Sequence, residues 1–170
     1  MQIVKKVEDA INKKNIPPGS VIYAAGNAAT PQTLLSQLGH DLDIKGVDLY
    51  SLLLLGDKTD HLFSKERCKT LTHRVIFSGH MARKAINKGW AKYHPMHLSE
   101  IPAHTSNRVS VVMLTVSGPD NGGNYSLGTT VEAVLATIRA AKQHGGIVIA
   151  ELNSRMPFVL GSTIPGHWID

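Results

Sequence analysis

The stretch that decides the fold runs from Val109 to Gly128 and reads VSVVMLTV (109–116) followed by SGPDNGGNYSLG (117–128). Its first part is apolar and β-branched, which predicts a buried strand. The second part is small, polar and rich in glycine, and a helical pattern begins at Thr129. This loop is longer than a strand-to-helix connection requires. Because open α/β sheets bind ligands beyond the carboxyl ends of their strands, the loop is a candidate binding surface.

The length and composition of the chain indicate one ordinary globular domain. It has 170 residues, a net charge of +5 and few aromatic residues, none within a basic cluster. Nucleic-acid binders usually concentrate basic residues beside aromatic ones, so we expect no nucleic-acid partner. The single cysteine, Cys68, excludes an intrachain disulfide and favours a reducing compartment. No apolar run approaches transmembrane length and the start lacks a signal-peptide pattern, so we expect a cytoplasmic protein without a membrane partner.

Further strands and helices alternate along the chain. The other predicted strands are 21–25, 47–55, 74–77 and 147–150, and the predicted helices are 3–14, 31–38, 81–88 and 129–143. We expect Thr30 to cap the second helix, with Pro31 in its first turn. The segments 56–66, 93–102 and 153–170 are expected to be irregular. This alternation predicts a single α/β domain over residues 1–170, with an open, largely parallel, doubly wound sheet and helices on both faces.

Three loops follow predicted strands, at 26–31, 117–128 and 153–161. In a parallel sheet these loops gather at one edge, which predicts a shared binding surface. For the loop at 26–31, a tight turn with glycine at positive φ is an equally good explanation. The convergence of the three loops carries more weight than any one of them.

The residue patterns name no nucleophile. The G-x-S-x-G, G-x-x-x-x-G-K-[ST] and G-x-G-x-x-G motifs are absent. His94 and His97 have no further obvious metal ligands, so we expect no metal site there. Asp120 is expected to cap its loop by accepting backbone N–H bonds. We expect Glu132 to be solvated on a helix, whereas Glu151 is open to either a capping or an acid–base role.

Four blocks of residues, in order, resemble the N-terminal domain of the acetyl-CoA hydrolase/transferase family, of the 4-hydroxybutyrate CoA-transferase type. They are GNAATP (26–31); FSG (77–79) with Arg83, Gly89, Tyr93, Pro95 and Leu98-Ser99; the loop 117–128, similar to S-P-x-D-x-x-G-x-x-S-L-G; and Glu151-Leu152-Asn153 with Met156-Pro157 and Gly161, similar to E-V-N-x-x-M-P-x-x-x-G. The chain departs from the family at Gly118-Pro119, where Pro-x is common. It also departs at Gly122, where histidine is frequent, and at Phe158, where arginine is common.

This resemblance implies the N-terminal half of a two-domain CoA-transferase or acyl-CoA hydrolase. In that family a glutamate attacks an acyl-CoA thioester, and CoA moves between carboxylic acids through a glutamyl-CoA thioester. The glutamate belongs to the C-terminal domain, and neither Glu132 nor Glu151 matches its block. We therefore expect no catalytic residue in this chain and no activity of the isolated domain.

The resemblance also implies the composition of the cleft and its partners. Coenzyme A would be a substrate and not a permanently bound cofactor. The expected partners are acyl-CoA and carboxylate substrates, the C-terminal domain and further copies in a homo-oligomer. The residues implied to line the cleft are Gly26, Asn27, Pro31, Ser117, Asp120, Gly123, Ser126, Gly128, Asn153, Met156 and Pro157.

Two other functions are compatible with the sequence. One is a stand-alone, non-catalytic module that binds an acyl-CoA or a carboxylate. The other is an unrelated sugar-phosphate isomerase on a similar scaffold, since a fold alone does not specify a function. An isomerase needs its own acid–base pair, and the residues suggest none.

Overall fold

A parallel sheet of six strands forms the centre of the domain, which confirms the predicted α/β fold. A computed structural model of the chain describes residues 2–170. These residues form strands β1 (Val21–Ala24), β2 (Val47–Ser51), β3 (Leu71–Val75), β4 (Lys92–Tyr93), β5 (Val111–Val116), β6 (Asn124–Ser126), β7 (Ile147–Leu152) and β8 (Thr163–Pro165). The main sheet has the order β4-β3-β2-β1-β5-β7, and all its pairs are parallel. Strands β6 and β8 form a separate antiparallel pair.

Helices cover both faces of the sheet, as a doubly wound fold requires. They are α1 (Val7–Ala10), α2 (Gln32–His40), α3 (His80–Asn87), α4 (Ile101–Thr105) and α5 (Val134–Gln143). One core packs α2 and α3 against the sheet through residues such as Leu35 and Ala82. The other core packs α4 and α5 on the opposite face through Ile101 and Ile138. The odd and even residues of each central strand are buried on opposite faces, so strands such as β5 are buried throughout and largely apolar.

The first helix is shorter than predicted because an asparagine ends it. We expected a helix over 3–14, but α1 spans only Val7–Ala10. The side-chain amide of Asn12 donates to the backbone carbonyls of Glu8 (2.9 Å) and Asp9 (3.0 Å), and its Oδ1 accepts from the N–H of Lys14 (3.0 Å). Such local bonds compete with the helical backbone bonds. The chain therefore leaves the helix after one turn.

The predicted cap of α2 is wrong in detail. The helix begins at Gln32 and its N-cap is Pro31, which makes no side-chain capping bond. Thr30 does not cap the helix, because its hydroxyl donates to the carbonyl of Asn27 (2.8 Å) and accepts from the N–H of Leu55 (3.1 Å). Thr30 thus ties the loop after β1 to the segment that follows β2.

The last helix begins later than the apolar pattern suggested. We expected it to start at Thr129, but α5 starts at Val134. Glu132 has a φ of 46°, in the left-handed region, which a right-handed helix does not allow. The residues before Val134 are therefore a turn, and Glu132 is free to point away from the helix axis.

Segments predicted to be irregular contain short regular elements. The segment 56–66 holds a 3-10 helix (Asp57–Phe63), 93–102 runs into α4, and 153–170 contains β8. The loop 117–128 contains β6, which pairs with β8 through Tyr125 opposite Ile164. These two strands could not be predicted from the sequence. Each has only three residues, too few to show an alternating pattern, and their pairing joins distant parts of the chain. The predicted strands 47–55 and 74–77 are found as β2 and β3, with different ends.

The strand order places a topological switch point between β1 and β5. From β1 the chain moves outward through β2, β3 and β4, and then returns to the other side of β1 with β5 and β7. The connections that leave β1 and β5 therefore diverge to opposite sides. In open α/β sheets the crevice between two such strands is where ligands bind.

Candidate functional site

The loops after β1 and β5 meet at the carboxyl edge of the sheet. The N–H of Ala25 donates to the carbonyl of Met113 (2.9 Å), which keeps the end of β1 paired with β5. Gly26 and Asn27 follow β1 directly, and Ser117 follows β5. On the outer side of β5, the N–H of Asn153 donates to the carbonyl of Val116 (2.9 Å). Three of the predicted loops thus converge at one edge, as a parallel sheet predicts.

A glutamate that we expected to be solvated occupies the switch point. The carboxylate of Glu132 accepts hydrogen bonds from the side-chain amide of Asn27 (2.6 Å) and the N–H of Gly26 (3.2 Å). The hydroxyl of Tyr23 lies 3.5 Å from Glu132 Oε2, at the long limit of a hydrogen bond. The prediction of a solvated Glu132 is therefore wrong. The position of Glu132 in the sequence could have indicated this location. It follows the 117–128 loop closely, so it must also lie near this edge.

Burial controls the protonation of this carboxylate and of its tyrosine neighbour. The pKa of Glu132 is raised because desolvation outweighs the hydrogen bonds from Asn27, Gly26 and Tyr23, which favour the charged form. The pKa of Tyr23 is also raised, first by its burial and then by the negative charge of Glu132. Tyr23 is fully buried, so it stays a neutral hydroxyl beside the carboxylate.

Close backbone approach explains the glycine at the start of the first loop. Gly26 has an ordinary extended conformation, with a φ of −120°. A Cβ at this position would lie 2.9 Å from the carbonyl oxygen of Leu53 and 3.1 Å from Glu132 Oε1. A positive φ is therefore not the reason for this glycine. Its lack of a side chain lets the carboxylate of Glu132 and the end of β2 contact the loop.

Two predicted cleft serines use their hydroxyls for hydrogen bonds inside the protein. The hydroxyl of Ser117 donates to the carbonyl of Gly118 (2.7 Å) and accepts from the N–H of Ser126 (3.1 Å). The hydroxyl of Ser126 donates to the carbonyl of Val159 (2.9 Å) and accepts from the N–H groups of Gly128 (3.1 Å) and Val159 (3.0 Å). Both serines are buried. The Ser117 hydroxyl thus braces the 117–128 loop internally, and the Ser126 hydroxyl holds this loop against the 153–161 loop.

Asp120 and Gly123 lie at the exposed tip of the long loop. Asp120 Oδ1 accepts from the N–H groups of Gly122 and Asn124, both at 2.8 Å, which confirms the predicted capping role. The bond from the N–H of Asn124 is the main reason why the pKa of Asp120 is lowered. Gly123 adopts a φ of 75° in this turn. The tip is thus a capped turn, and the carbonyl of Gly123 ties it to the chain after β8 by accepting from the N–H of Gly166 (3.0 Å).

The remaining predicted residues lie around the third loop and the start of α2. Asn153 Oδ1 accepts from the N–H of Arg155 (3.0 Å), and Met156 packs directly over Gly128. Pro157 is exposed beside them, whereas Pro31 is buried. Several of the predicted residues therefore use their polar atoms for hydrogen bonds within and between these loops.

Glu151 is a helix cap. Its carboxylate accepts from the N–H of Thr33 (2.8 Å), the hydroxyl of Thr33 (3.0 Å) and the N–H of Leu34 (3.4 Å). These groups form the first turn of α2, where a negative charge is stabilising. Of the two roles left open by the sequence, the structure shows the capping role.

Neither a metal cluster nor a membrane-spanning helix is found in residues 2–170. No group of three or more histidine, cysteine, aspartate or glutamate side chains in this range is placed to hold a metal ion. The ring of His94 instead lies 4.9 Å from that of His104. None of the helices in the same range is long and apolar enough to cross a membrane.

Solved structures share this fold over nearly the whole chain. RipA from Yersinia pestis is 23% identical and superposes with a TM-score of 0.86, covering 98% of this chain and 40% of RipA. A 4-hydroxybutyrate CoA-transferase from Porphyromonas gingivalis is 18% identical with a TM-score of 0.71, covering 97% of this chain and 37% of that protein. At these identities the likeness establishes the fold.

Sequence comparison establishes the family. The 4-hydroxybutyrate coenzyme A transferase of Clostridium kluyveri is 34% identical over 161 residues, which cover 92% of this chain and 35% of that enzyme. The succinyl-CoA:acetate/propanoyl-CoA:succinate CoA transferase of Fasciola hepatica is 29% identical over 154 residues, 84% of this chain and 30% of that enzyme. The chain thus spans about a third of the length of these relatives. Because the model of the acetyl-CoA hydrolase/transferase N-terminal domain matches residues 3–170, the chain belongs to the acetyl-CoA hydrolase/transferase family.

Proposed function

We propose that this chain forms the N-terminal half of a CoA-transferase active site. A glutamate of a C-terminal domain would attack the acyl-CoA thioester and release the CoA thiolate, giving an acyl–glutamyl anhydride. The thiolate would then attack the glutamyl carbonyl, which releases the first carboxylate and leaves a glutamyl-CoA thioester. The acceptor carboxylate would attack this thioester and release the CoA thiolate, giving a second acyl–glutamyl anhydride. The thiolate would then attack the acyl carbonyl of this anhydride, which forms the new acyl-CoA and releases the glutamate.

The observation that carries the proposal is a bare apolar rim along the carboxyl edge of the sheet. Leu152, at the end of β7, is 59% exposed, and Leu160, in the following loop, is 88% exposed. Phe158 and Val159 between them are also exposed, as are Leu55 and Phe77 after β2 and β3. Large exposed apolar side chains concentrated at one edge of a sheet favour a protein interface there. A second domain that covered this rim would close a cleft over the switch point.

The carboxylates at this edge favour a nucleophile from outside the chain. Glu132 and Glu151 already accept two or three hydrogen bonds each from the protein, and Asp120 caps its own turn. A carboxylate held in this way is a poor nucleophile, because attack would break the bonds that stabilise its charge. The relatives that bear the name of CoA transferases are about three times as long, which leaves room for a further domain.

A chimaeric enzyme tests the proposal. The chain would replace the matching 35% of the Clostridium kluyveri enzyme, and CoA transfer between carboxylic acids would be measured. We expect activity from the chimaera and none from the chain alone or from the relative without its N-terminal part. Borohydride reduction of the glutamyl thioester, followed by peptide mass spectrometry, should place the modified glutamate outside residues 1–170. A folded but inactive chimaera, or a modified glutamate within residues 1–170, would contradict the proposal.

The same proposal extends to the compartment, the substrates and the oligomeric state of the enzyme. We propose that the chain works in the cytoplasm on acyl-CoA and carboxylate substrates, as part of a homo-oligomer. The single Cys68, which is partly exposed and free, suits a reducing compartment. Light scattering of the chimaera would give its oligomeric state, and a monomer at working concentration would contradict this part.

A groove along β7 supports the alternative of a stand-alone binding module. It has a volume of about 510 Å³, within the range of ligand sites, and lies between the N-terminal segment and the outer side of the strand. Lys5 and Lys6 line it together with apolar side chains such as Ile147 and Leu152. Calorimetric titration of the isolated chain with an acyl-CoA separates the two functions, because tight binding without turnover is expected only of a module.

A further inference from the structure

The bond between Glu132 and Asn27 determines which way the asparagine side chain points. An ionised carboxylate only accepts hydrogen bonds, so the amide nitrogen of Asn27 must face it. The two atoms are 2.6 Å apart, and the other carboxylate oxygen accepts from the N–H of Gly26 at 3.2 Å. The amide oxygen of Asn27 must therefore point away from Glu132.

That amide oxygen is the unpaired polar group of Asn27. Its backbone N–H donates to the carbonyl of Leu53 (2.7 Å), and its carbonyl accepts from the N–H (3.2 Å) and hydroxyl (2.8 Å) of Thr30. Its amide nitrogen is bound to Glu132. Within residues 2–170, Oδ1 has no hydrogen-bond partner, and the residue is half-buried at the switch point. It presents a fixed acceptor to whatever enters the crevice.

Backbone strain marks the same pair of residues. Asn27 has a φ of 50° and Glu132 a φ of 46°, and within residues 2–170 they are the two non-glycine residues with positive φ. Asparagine tolerates this region better than glutamate does. Conformations of this kind persist where surrounding structure holds them, and they concentrate at functional sites. Here both strained residues lie at the two ends of one hydrogen bond.

We propose that Glu132 is a positioning residue that fixes Asn27 as a hydrogen-bond acceptor for a donor group of the ligand. This inference rests on the proposed function, which makes the switch point part of an acyl-CoA site. Near the thioester, such a ligand offers donors of two kinds: a hydroxyl on the acyl chain, and the amide N–H groups of the pantetheine arm. A bare carboxylate or an unsubstituted alkyl chain offers none, so the site would discriminate against them at this position.

The test measures ligand discrimination by the 170-residue chain with nuclear magnetic resonance. The side-chain amide of Asn27 and the N–H of Gly26 report binding of three probes: 4-hydroxybutyrate, butyrate and pantetheine. One hydrogen bond to a neutral donor corresponds to a preference of roughly threefold to tenfold in Kd. We expect such a preference over butyrate for pantetheine or for 4-hydroxybutyrate. The probe that shows it identifies the source of the donor.

Two variants separate positioning from a structural role. Glu132→Gln allows the Asn27 amide to turn over, so the preference should fall to within about twofold. Asn27→Gly removes the acceptor, so it should lose the preference; relief of the positive φ offsets part of the loss of the bond to Glu132, so the variant should stay folded. Glu66→Gln is the matched control, because Glu66 is exposed and precedes β3 at the amino edge of the sheet. It should retain the preference.

The binding measurements on the chain and the activity of the chimaera test the inference and the proposed function separately. Equal binding of all probes, no shift of the Asn27 resonances by any probe, or an unchanged preference in Asn27→Gly would overturn the inference. An inactive chimaera with the preference intact would overturn the CoA-transferase proposal and leave the positioning role standing. An active chimaera, together with a chain that shows no preference among the probes, would support the CoA-transferase proposal and overturn the positioning role.

Discussion

Replacing Gly128 by alanine should destabilise the domain at the contact between two of its loops. Gly128 has a φ of 69°, and a Cβ there would lie 2.6 Å from the sulfur of Met156. The left-handed conformation costs a non-glycine residue about 1–2 kcal/mol. Displacing the flexible methionine adds about 1 kcal/mol, at the low end for an overpacked site. We therefore expect a loss of about 2–3 kcal/mol in the free energy of unfolding.

Gly123 provides a matched control for this measurement. It has a similar φ of 75°, but a Cβ there would meet no atom within 4 Å. Gly123→Ala should therefore cost about 1–2 kcal/mol, which is the backbone strain alone. For a domain of this size each kcal/mol lowers Tm by about 2–4 °C, so calorimetry separates the variants.

The double variant Gly128→Ala/Met156→Ala completes a cycle that isolates the contact. Truncating Met156 removes the clash, so the two changes together should cost about 1 kcal/mol less than the sum of the single changes. Strict additivity, or equal losses for Gly128→Ala and Gly123→Ala, would refute the reasoning. The close approach would then not be what requires glycine at position 128.

Three further predictions concern the carboxylates and the rim. Because burial raises the pKa of folded Glu132 above its unfolded value, the stability of the wild type relative to Glu132→Gln should be greatest at low pH. This difference in the free energy of unfolding should fall as the pH rises from about 4.3 through the raised pKa. A difference that stays constant or grows with pH in urea unfolding would contradict this. Glu151→Ala removes the cap of α2 and should cost about 1 kcal/mol by the same assay; no loss would mean that the cap contributes nothing. Leu160→Asp should leave the Tm of the chain unchanged, since the side chain is 88% exposed, but lower CoA transfer by the chimaera; full activity would show that Leu160 lies outside the interface.

The fold could be predicted from the sequence where a single segment carries the signal. The apolar run 109–116 is a central strand, and such a run is buried on both faces whatever its partners are. The alternation of strands and helices then leaves few arrangements other than a parallel sheet. The ends of elements were less predictable, because side chains such as Asn12 end a helix by local hydrogen bonds that its apolar pattern does not reveal.

The convergence of the loops could be predicted from the sequence, but the contacts of their side chains could not. Gly26, Asn27 and Ser117 follow strands, so they had to reach the carboxyl edge of a parallel sheet. The role of Glu132 depends on a contact across 105 positions of sequence and on a backbone angle that breaks the expected helix. No local pattern encodes either. The hydrogen bonds of the buried serines could not be predicted either, because the sequence does not show whether the hydroxyl of a polar loop residue faces ligand or protein.

The carboxyl edge therefore carries two surfaces of opposite character, and their combination limits what can cover it. The rim around Leu152 and Leu160 is exposed and apolar, so burying it is favourable for almost any apolar partner. At the switch point, the carboxylate of Glu132 already accepts hydrogen bonds from the N–H of Gly26 and the side-chain amide of Asn27. Asn27 Oδ1 is left as an acceptor without a hydrogen bond within residues 2–170. A partner that sealed the edge without offering a donor would leave that oxygen buried and unpaired, at a cost of about 1–3 kcal/mol. We therefore expect the rim to supply affinity for the partner and the Glu132–Asn27 pair to select for a hydrogen-bond donor in the proposed cleft.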